Sequence, residues 1–589
     1  MTIDEIKNII SSLPIGGITT KKINGHSYIY YQWTENGKQK SRILKENEIS
    51  QLKKQLDYRK ELESLLRNKS LPINENFEND KLLLSSFITD VRMGKNLEVF
   101  SNSVKNYKQR EIYSKIHNFI YSDITDKVFI LYGLRRTGKT TLIRQTIYNM
   151  TNEDKNKSVF IQIKPSNTLA QVNKDLKTLE GLGYKYIFID EVTLMNDFIE
   201  GAALFSDVYA ANGMKIILSG TDSLGFIFSE DEQLYDRCIL LHTTYIPFRE
   251  FKNVLGINDI EQYICFGGTM SKSGENYNKY IFSTKETTDE YVNTAIAKNI
   301  QHSLKNYQYE SHFRSLKELY DNNELTNVIN RIVEDINHEF TIKVLTRDFK
   351  SHDFGSAKDI LRKDRTNPTA ILDDIDEKKL TQNLMKLLEI INKENQKIQI
   401  NQIHKAQIKE YLNLLDLTCD VQIIDMNDLN NKRVNTVFSQ PGLRYAQSEY
   451  LIKTLMMDET FKNICAIERK RIIDRILDEI KGRMLEEIVQ LETKKSNPNL
   501  EVFKLQFAIG EFDMVVYDPQ NICCKIYEIK HSKQKNPFQY RHLINQEYCN
   551  QTQFRFGTIL EKTVLYRGEP CKLDNGIIYQ NVEEFLCAP

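Results

Sequence analysis

Three groups of residues in this chain have the types and the spacing to do chemistry. The first is "GLRRTGKTT", Gly133 to Thr141, set directly after the apolar run Val128–Tyr132. Its G-x-x-x-x-G-K-[ST] spacing lets backbone N–H groups close around phosphates at a helix N-terminus. Gly133, Arg136, Thr137, Gly138, Lys139, Thr140 and Thr141 are therefore expected to cradle a nucleotide triphosphate. Lys139 reaches the β- and γ-phosphates and the Thr140 hydroxyl ligates Mg²⁺. The second group is Asp190-Glu191, at the end of the apolar run in "YKYIFIDEVT". Asp190 is expected to hold Mg²⁺ through water and Glu191 to polarise the attacking water. An acidic pair at a strand end also serves to cap a following helix, which is the plainer use of such residues. Ser219, closing the run "MKIILSG", is placed to sense the γ-phosphate.

The third group lies far downstream, in "GEFDMVVYDPQNICCKIYEIKHSKQ". Strand interiors rarely carry acids and a lysine for packing reasons alone. Side chains alternate along a strand, so Glu511 shares a face with Asp513, and Glu528 shares one with Lys530. If the two strands are neighbours, Asp513, Glu528 and Lys530 converge. Asp513 and Glu528 would then bind one or two Mg²⁺, and Lys530 would orient a water and offset phosphate charge. Two carboxylates without a metal repel each other and a phosphodiester, so the metal belongs to this reading. The plainer alternative is a Glu–Lys ion pair at an exposed sheet end beside an Asp near a turn.

These residues need elements to position them. From about Asn106 to Asn253 strand and helix patterns alternate, the signature of a parallel α/β sheet. Residues 254–335 read as a helical lid. Residues 336–445 contain "EFTIKVLTRDFKS", a helical run near Asn383–Glu394 and a short strand pair, which suggest a winged-helix-like middle. Residues 446–589 read as helix, strands, helix, strands. The helix "IDRILDEIKGRMLEEIVQLE" carries Gly482, Glu486 and Val489, "PFQYRHLINQEYCNQTQ" reads as a second helix with Gln546 as a polar contact, and "KTVLYRGE" reads as a closing strand. At the start, residues 1–67 form a hairpin-plus-helix module: Ser27–Trp33 and Lys38–Leu44 are joined through Glu35-Asn36-Gly37, and a helix spans about Lys45 to Arg67. Lys21, Lys22, Lys38, Lys40, Arg42 and Lys45 make it basic, with Tyr28, Tyr30 and Tyr31 among them. That composition suits either a nucleic-acid contact or a solvated hairpin whose tyrosines pack on the helix. Residues 68–105 read as a linker with a short helix.

The bulk numbers set bounds. A chain of 589 residues is too long for one core. Lys+Arg and Asp+Glu both number 80, so any nucleic-acid surface is local rather than global. No secretory signal opens the chain, no run is apolar enough to span a membrane, and the nine scattered cysteines lack zinc spacing. These features predict a reduced, cytoplasmic protein.

The motifs "GLRRTGKTTLI", "FIDEV", "LSGTDS", "YDR", "PFREF" and "CFGGTM" resemble those of bacterial and archaeal AAA-type ATPases that precede a C-terminal domain of unknown function. The likeness spans roughly residues 105–589. It implies ATP and Mg²⁺ as cofactors and makes Arg237 a candidate for completing a nucleotide site, with Asp236 where the family has glycine. Thr269-Met270 stands where the family has a proline after the glycine pair. Glu486 of the G-x-x-x-E-x-x-V spacing, with Asp513, Glu528 and Lys530, resembles the core of PD-(D/E)xK nucleases. The expected architecture is thus a multi-domain α/β chain: an AAA-type P-loop NTPase sheet at 106–253, a helical lid, a winged-helix-like middle and a PD-(D/E)xK-like domain. The expected partners are nucleic acid, DNA first, then a protein partner or further copies of the chain. The rival expectation is a nucleotide switch whose C-terminal domain binds without cutting.

Overall fold

The computed structural model describes residues 13–60 with short breaks, 86–221, 226, 234–270, 283–297, 313–345, 400–428, 433–455 and 465–588. The helical run expected near Asn383–Glu394, residues 68–85 of the expected linker and the centre of the hairpin turn lie outside the described residues. The chain divides into two compact units, residues 1–86 and 87–589.

The first unit is a three-stranded antiparallel sheet: β1 (Gly17–Ile23), β2 (His26–Glu35) and β3 (Lys38–Ile43). The hairpin of β2 and β3 was expected; β1, built from "GITTKKI", adds an edge that its basic residues obscured. Leu44, Leu52 and Leu56 are buried together with Ile29 and Tyr31 against them, so Tyr31 packs on the helical segment. Tyr31 stacks on Trp33 at 4.9 Å, one residue pair along the same face.

In the second unit, a six-stranded sheet is built in the order β4-β6-β7-β8-β5-β9. Its strands are β4 (Asp90–Arg92), β5 (Val128–Tyr132), β6 (Ser158–Gln162), β7 (Tyr186–Asp190), β8 (Lys215–Gly220) and β9 (Cys238–His242). All but β4 pair in parallel. β5 to β8 are apolar through their centres and almost wholly buried, as strands covered on both faces must be, with polar residues confined to their ends. Helices α1 (Gly94–Asn102), α2 (Tyr113–Ile120), α3 (Lys139–Asn149) and α4 (Leu169–Gly181) serve this sheet. Residues 90–102, expected within the linker, instead supply its edge strand and α1. The Asp175 carboxylate of α4 fixes that edge by accepting from the N–H groups of Ile88 and Thr89.

Short helices follow: α5 (Phe248–Leu255), α6 (Ile260–Phe266), α7 (Lys285–Val292), α8 (Arg314–Asp321), α9 (Leu325–Lys343) and α10 (Gln402–Leu414). Then come β10 (Thr418–Asp425), β11 (Arg433–Phe438), α11 (Pro441–Leu455) and the long α12 (Ala466–Ser496). The remaining strands are β12 (Glu501–Gln506), β13 (Glu511–Asp518), β14 (Cys523–Ile529), β15 (Thr558–Tyr566), β16 (Cys571–Lys572) and β17 (Ile578–Asn581), with α13 (Gln546–Phe556) and α14 (Val582–Cys587).

The second sheet has eight strands in the order β11-β10-β12-β13-β14-β15-β17-β16. This corrects the expected boundary at residue 445. β10 pairs in parallel with β12, so the strand pair assigned to a winged-helix-like middle extends the C-terminal sheet. α12 covers one face through Ile480, Met484 and Ile488 against Met514, Tyr527 and Ile529. Cys549 and Phe556 of α13 cover the other, over Phe503, Val515 and Ile526. α11 joins the two regions, packing on α6, α7, α9 and α12. Among the described residues no helix is long and apolar enough to cross a membrane.

Candidate functional site

The first site forms at the carboxyl ends of β5, β7 and β8, where α/β sheets place ligands. β5 runs into Gly133 (φ 137°) and the loop closes at Gly138 (φ 92°), the N-cap of α3. A Cβ on Gly133 would lie 2.6 Å from the Thr243 carbonyl oxygen, so only glycine fits where the loop passes β9. The buried Lys139 donates through Nζ to the carbonyls of Gly133 and Leu134, both at 2.8 Å. Burial pushes its pKa down to about 8, against the pull of Glu191 and Asp190. A phosphate entering the loop would supply the counter-charge that burial withholds.

Strand order brings the remaining groups in. β8 sits between β5 and β7, so Ser219 and Asp190 end on adjacent strands and the Ser219 hydroxyl donates to Asp190 Oδ1. Thr140 donates to Asp190 Oδ2 at 2.8 Å. The hydroxyl and carboxylate expected to share Mg²⁺ thus already face each other, and both are hard oxygen donors suited to that ion. Glu191 adopts φ 60° and accepts from the Thr221 hydroxyl at 3.2 Å. Burial first, then the Asp190 charge, raises its pKa. Thr137 donates to the Leu134 carbonyl, and Thr141 is the third residue of α3.

Arg237 does not join this group. It precedes β9, and its carbonyl accepts from Val128 at the start of β5, the sheet end opposite the loop. There its Nε pairs with Asp207 at 2.8 Å on the surface. Within one chain it faces away from the phosphate loop; only a neighbouring copy would bring such an arginine to a nucleotide. Arg110, which no motif singled out, does reach the loop. It donates to the Thr137 carbonyl at 2.7 Å while its Nε donates to the buried Glu250 at 2.8 Å.

The second site lies where β12, β13 and β14 meet α12. The ladder between β13 and β14 ends at Met514–Tyr527. Just beyond it, the Asp513 carboxylate accepts from the Ile529 N–H at 2.8 Å, replacing a backbone acceptor. Lys530 Nζ is 2.8 Å from Asp513 and 2.6 Å from Glu528. The expected trio therefore converges. Glu486, from the adjoining turn of α12, offers an oxygen that lies with one from Glu511 and one from Asp513 within a mutual 4.8 Å. The tightest acidic set is thus Glu486, Glu511 and Asp513. Glu528, expected as a metal ligand with Asp513, is instead held by Lys530 and by His542 at 3.2 Å. Gln546 turns away to Asn550.

Two cations at this site went unanticipated. Lys504 pairs with Glu511 at 2.7 Å, and Arg483 pairs with Glu486 at 2.8 Å. Lys504 occupies a break in strand register between Phe503 and Leu505, which no alternation rule foresees. Arg483 lies one helical turn before Glu486, the i, i+3 spacing that could have flagged it. The electrostatics follow from these contacts. Burial would raise Asp513, but Lys530, Lys504 and Arg483 outweigh it and hold the carboxyl well below its ordinary range. Burial pushes Glu486 up to about 7. Burial likewise raises Glu528. The acids form a hard oxygen set that fits a divalent ion such as Mg²⁺. A bound ion would have to displace Lys504 and Arg483 from Glu511 and Glu486.

Comparison with known proteins bears on the first site alone. Residues 125–252 match the family described as "AAA domain", and residues 2–54 match a "Domain of unknown function (DUF6788)". No curated protein matches the chain. Solved structures give distant likenesses. Caenorhabditis elegans PCH-2 is 16% identical at a TM-score of 0.17, with 33% of this chain and 48% of that one covered. The Aeropyrum pernix ORC1 protein in complex with DNA is 11% identical at 0.22, covering 62% and 98%. The Saccharomyces cerevisiae Hsp104–ADP complex is 12% identical at 0.24, covering 67% and 51%. The chain thus spans about half the length of PCH-2 and of Hsp104, and likenesses this distant carry no argument. The family match and the phosphate-loop geometry agree on their own: this chain carries an AAA-type P-loop ATPase domain.

Proposed function

We propose that this protein is an ATP-hydrolysing machine that couples nucleotide state to Mg²⁺-dependent cleavage of nucleic acid, DNA first, by its C-terminal region. The observation that carries the second half is the placing of Lys530 within 2.8 Å of Asp513 and 2.6 Å of Glu528 beside the Glu486–Glu511–Asp513 oxygens. The order helix, three antiparallel strands, helix, parallel strand, from α12 to β15, supports a PD-(D/E)xK-like core. Bound Mg²⁺ would supply a Lewis acid and an activated water. The chain's own residues then divide the labour. Asp513, Glu486 and Glu511 hold the ion, Lys530 offsets phosphate charge and orients the water, and Glu528 fixes the Lys530 ammonium.

At the nucleotide site, Lys139 takes the phosphates, Thr140 and Asp190 take the ion, and Glu191 orients the attacking water. Incubating the protein with Mg²⁺, ATP and supercoiled plasmid should nick or linearise the plasmid. Asp513→Ala and Lys530→Ala should each lower that activity by about 100-fold or more. Cleavage unchanged in both variants would refute the nuclease reading.

One observation favours a second reading. Arg483, Lys504 and Lys530 already neutralise most of the acidic cluster, as they would in a site that binds nucleic acid or a protein without cutting. That reading predicts DNA retention with no cleavage in any divalent ion.

A further inference from the structure

A cavity of about 590 Å³ opens between the ATPase region and the C-terminal sheet. Its walls are the start of α5, the end of α12, the β13–β14 ladder and α14. That volume suits a small molecule, and such sites favour the seam between two packed regions. Neither the phosphate loop nor the Glu486–Glu511–Asp513 cluster lines it.

Part of the wall is apolar, with Val516 and Tyr527 from the sheet and Phe585 and Leu586 from α14. The rest carries charge, most of it already compensated. Arg110 pairs with Glu250 and Arg249 with Glu111, all four on the wall. Lys495 and Lys525 pair with Asp416 and Glu561, which lie outside it. The Asp518 carboxylate accepts from the N–H groups of Gln520 and Asn521. Glu492 forms no ion pair among the described residues. The Phe248 N–H and the Tyr263 hydroxyl both donate to its Oε1, which leaves Oε2 for a further donor.

The next residue of the wall, Thr493, is only 8% exposed, and its hydroxyl finds no hydrogen-bond partner among the described residues. A buried hydroxyl is costly unless something satisfies it. Both side chains stand at the end of α12, where the helix dipole favours positive charge. The two lysines of that turn are engaged elsewhere: Lys494 donates to the Asp420 carbonyl and Lys495 to the Asp416 carboxylate.

An anion in the cavity would meet Glu492 as a like charge. A wholly apolar molecule would leave Oε2 and the Thr493 hydroxyl unsatisfied. An ammonium offers three donors and no acceptor, so it can serve both oxygens while an apolar body fills the side toward Tyr527 and Phe585. We propose that this cavity binds a small organic cation, an amine with an apolar body, whose ammonium donates to Glu492 and Thr493. The occupant would rest against Arg110, which holds the phosphate loop through the Thr137 carbonyl.

The test is calorimetric binding of three probes of similar size to the full chain: 2-phenylethylammonium, 2-phenylethanol and phenylacetate. Burial pushes Glu492 up to about 7, so the titrations run at pH 8, where it is ionised. Wild-type protein should hold the ammonium about tenfold more tightly than the alcohol, and the acid most weakly. Glu492→Gln should bring ammonium and alcohol to within about twofold of each other, because removing the carboxylate removes the contact that tells them apart. Should that variant fail to fold by circular dichroism, Thr493→Val carries the comparison and should narrow the preference to about threefold. A wild type that holds the alcohol or the acid as tightly as the ammonium overturns the proposal. So does an unchanged preference in Glu492→Gln, which would place the ammonium on another acidic surface. Failure of all three probes to bind at millimolar concentration overturns it as well.

Discussion

At the residue scale, the two sites differ in how their charge is managed. At the nucleotide site a buried Lys139 is left with carbonyl partners, its pKa pushed down to about 8, so it gains most when a phosphate arrives. Lys139→Ala should abolish ATP turnover, and hydrolysis that persists would show that the loop is not the catalytic one. Glu191→Gln keeps the size of the side chain but cannot polarise water. It should bind ATP with normal affinity and hydrolyse it at least about 100-fold more slowly, as rapid-quench measurement would show. At the C-terminal site the charge is already compensated by Lys504, Arg483 and Lys530. The sequence made the trio Asp513, Glu528 and Lys530 legible, because alternation along a strand is a strict rule. Lys504 and His542 stayed hidden. One sits in a register break and the other in the connection after β14, and neither position follows from periodicity.

At the element scale, α12 is the common beam. It carries Arg483 and Glu486 into the acidic cluster and Glu492 into the ATPase region. There the Glu492 carboxylate accepts from the Phe248 N–H at 2.8 Å and from the Tyr263 hydroxyl at 2.9 Å. Burial pushes Glu492 up to about 7. The folded chain therefore holds this proton more tightly than the unfolded one, and the stability it lends is present below about pH 4.5 and lost as pH rises through 7. Glu492→Gln keeps an acceptor and removes the charge. It should raise the melting temperature at pH 8 and leave it unchanged near pH 4; a lower melting temperature at pH 8 would contradict this. Glu250 answers a harsher test. It pairs inside the protein with Arg110, which also holds the phosphate loop through the Thr137 carbonyl. Glu250→Ala leaves a buried charge unpaired and should cost about 3–5 kcal/mol in denaturant unfolding. The parallel sheet and the phosphate loop were readable because the centres of the buried strands are continuously apolar. The β10–β11 pair was misassigned because its place in the C-terminal sheet depends on a parallel pairing with β12, far along the chain.

At the scale of the whole molecule, the two sites are tied through one short stretch. α6 sets Glu261 against Lys481 of α12 at 3.0 Å, against His531 at 2.6 Å and against Arg567. His531 directly follows the site lysine, and α6 runs on into the strap whose Met270 bonds the phosphate loop. A nucleotide that moves the strap would therefore move the wall of the acidic cluster. The most direct test measures plasmid cleavage and ATP turnover on the same preparations of wild type, Lys139→Ala and Lys530→Ala, in Mg²⁺ with and without ATP. The account predicts that Lys530→Ala hydrolyses ATP normally but does not cut, and that Lys139→Ala neither hydrolyses ATP nor shows ATP-dependent cutting. Equal cleavage in all three proteins, or cleavage in none with ATP turnover intact, would contradict it.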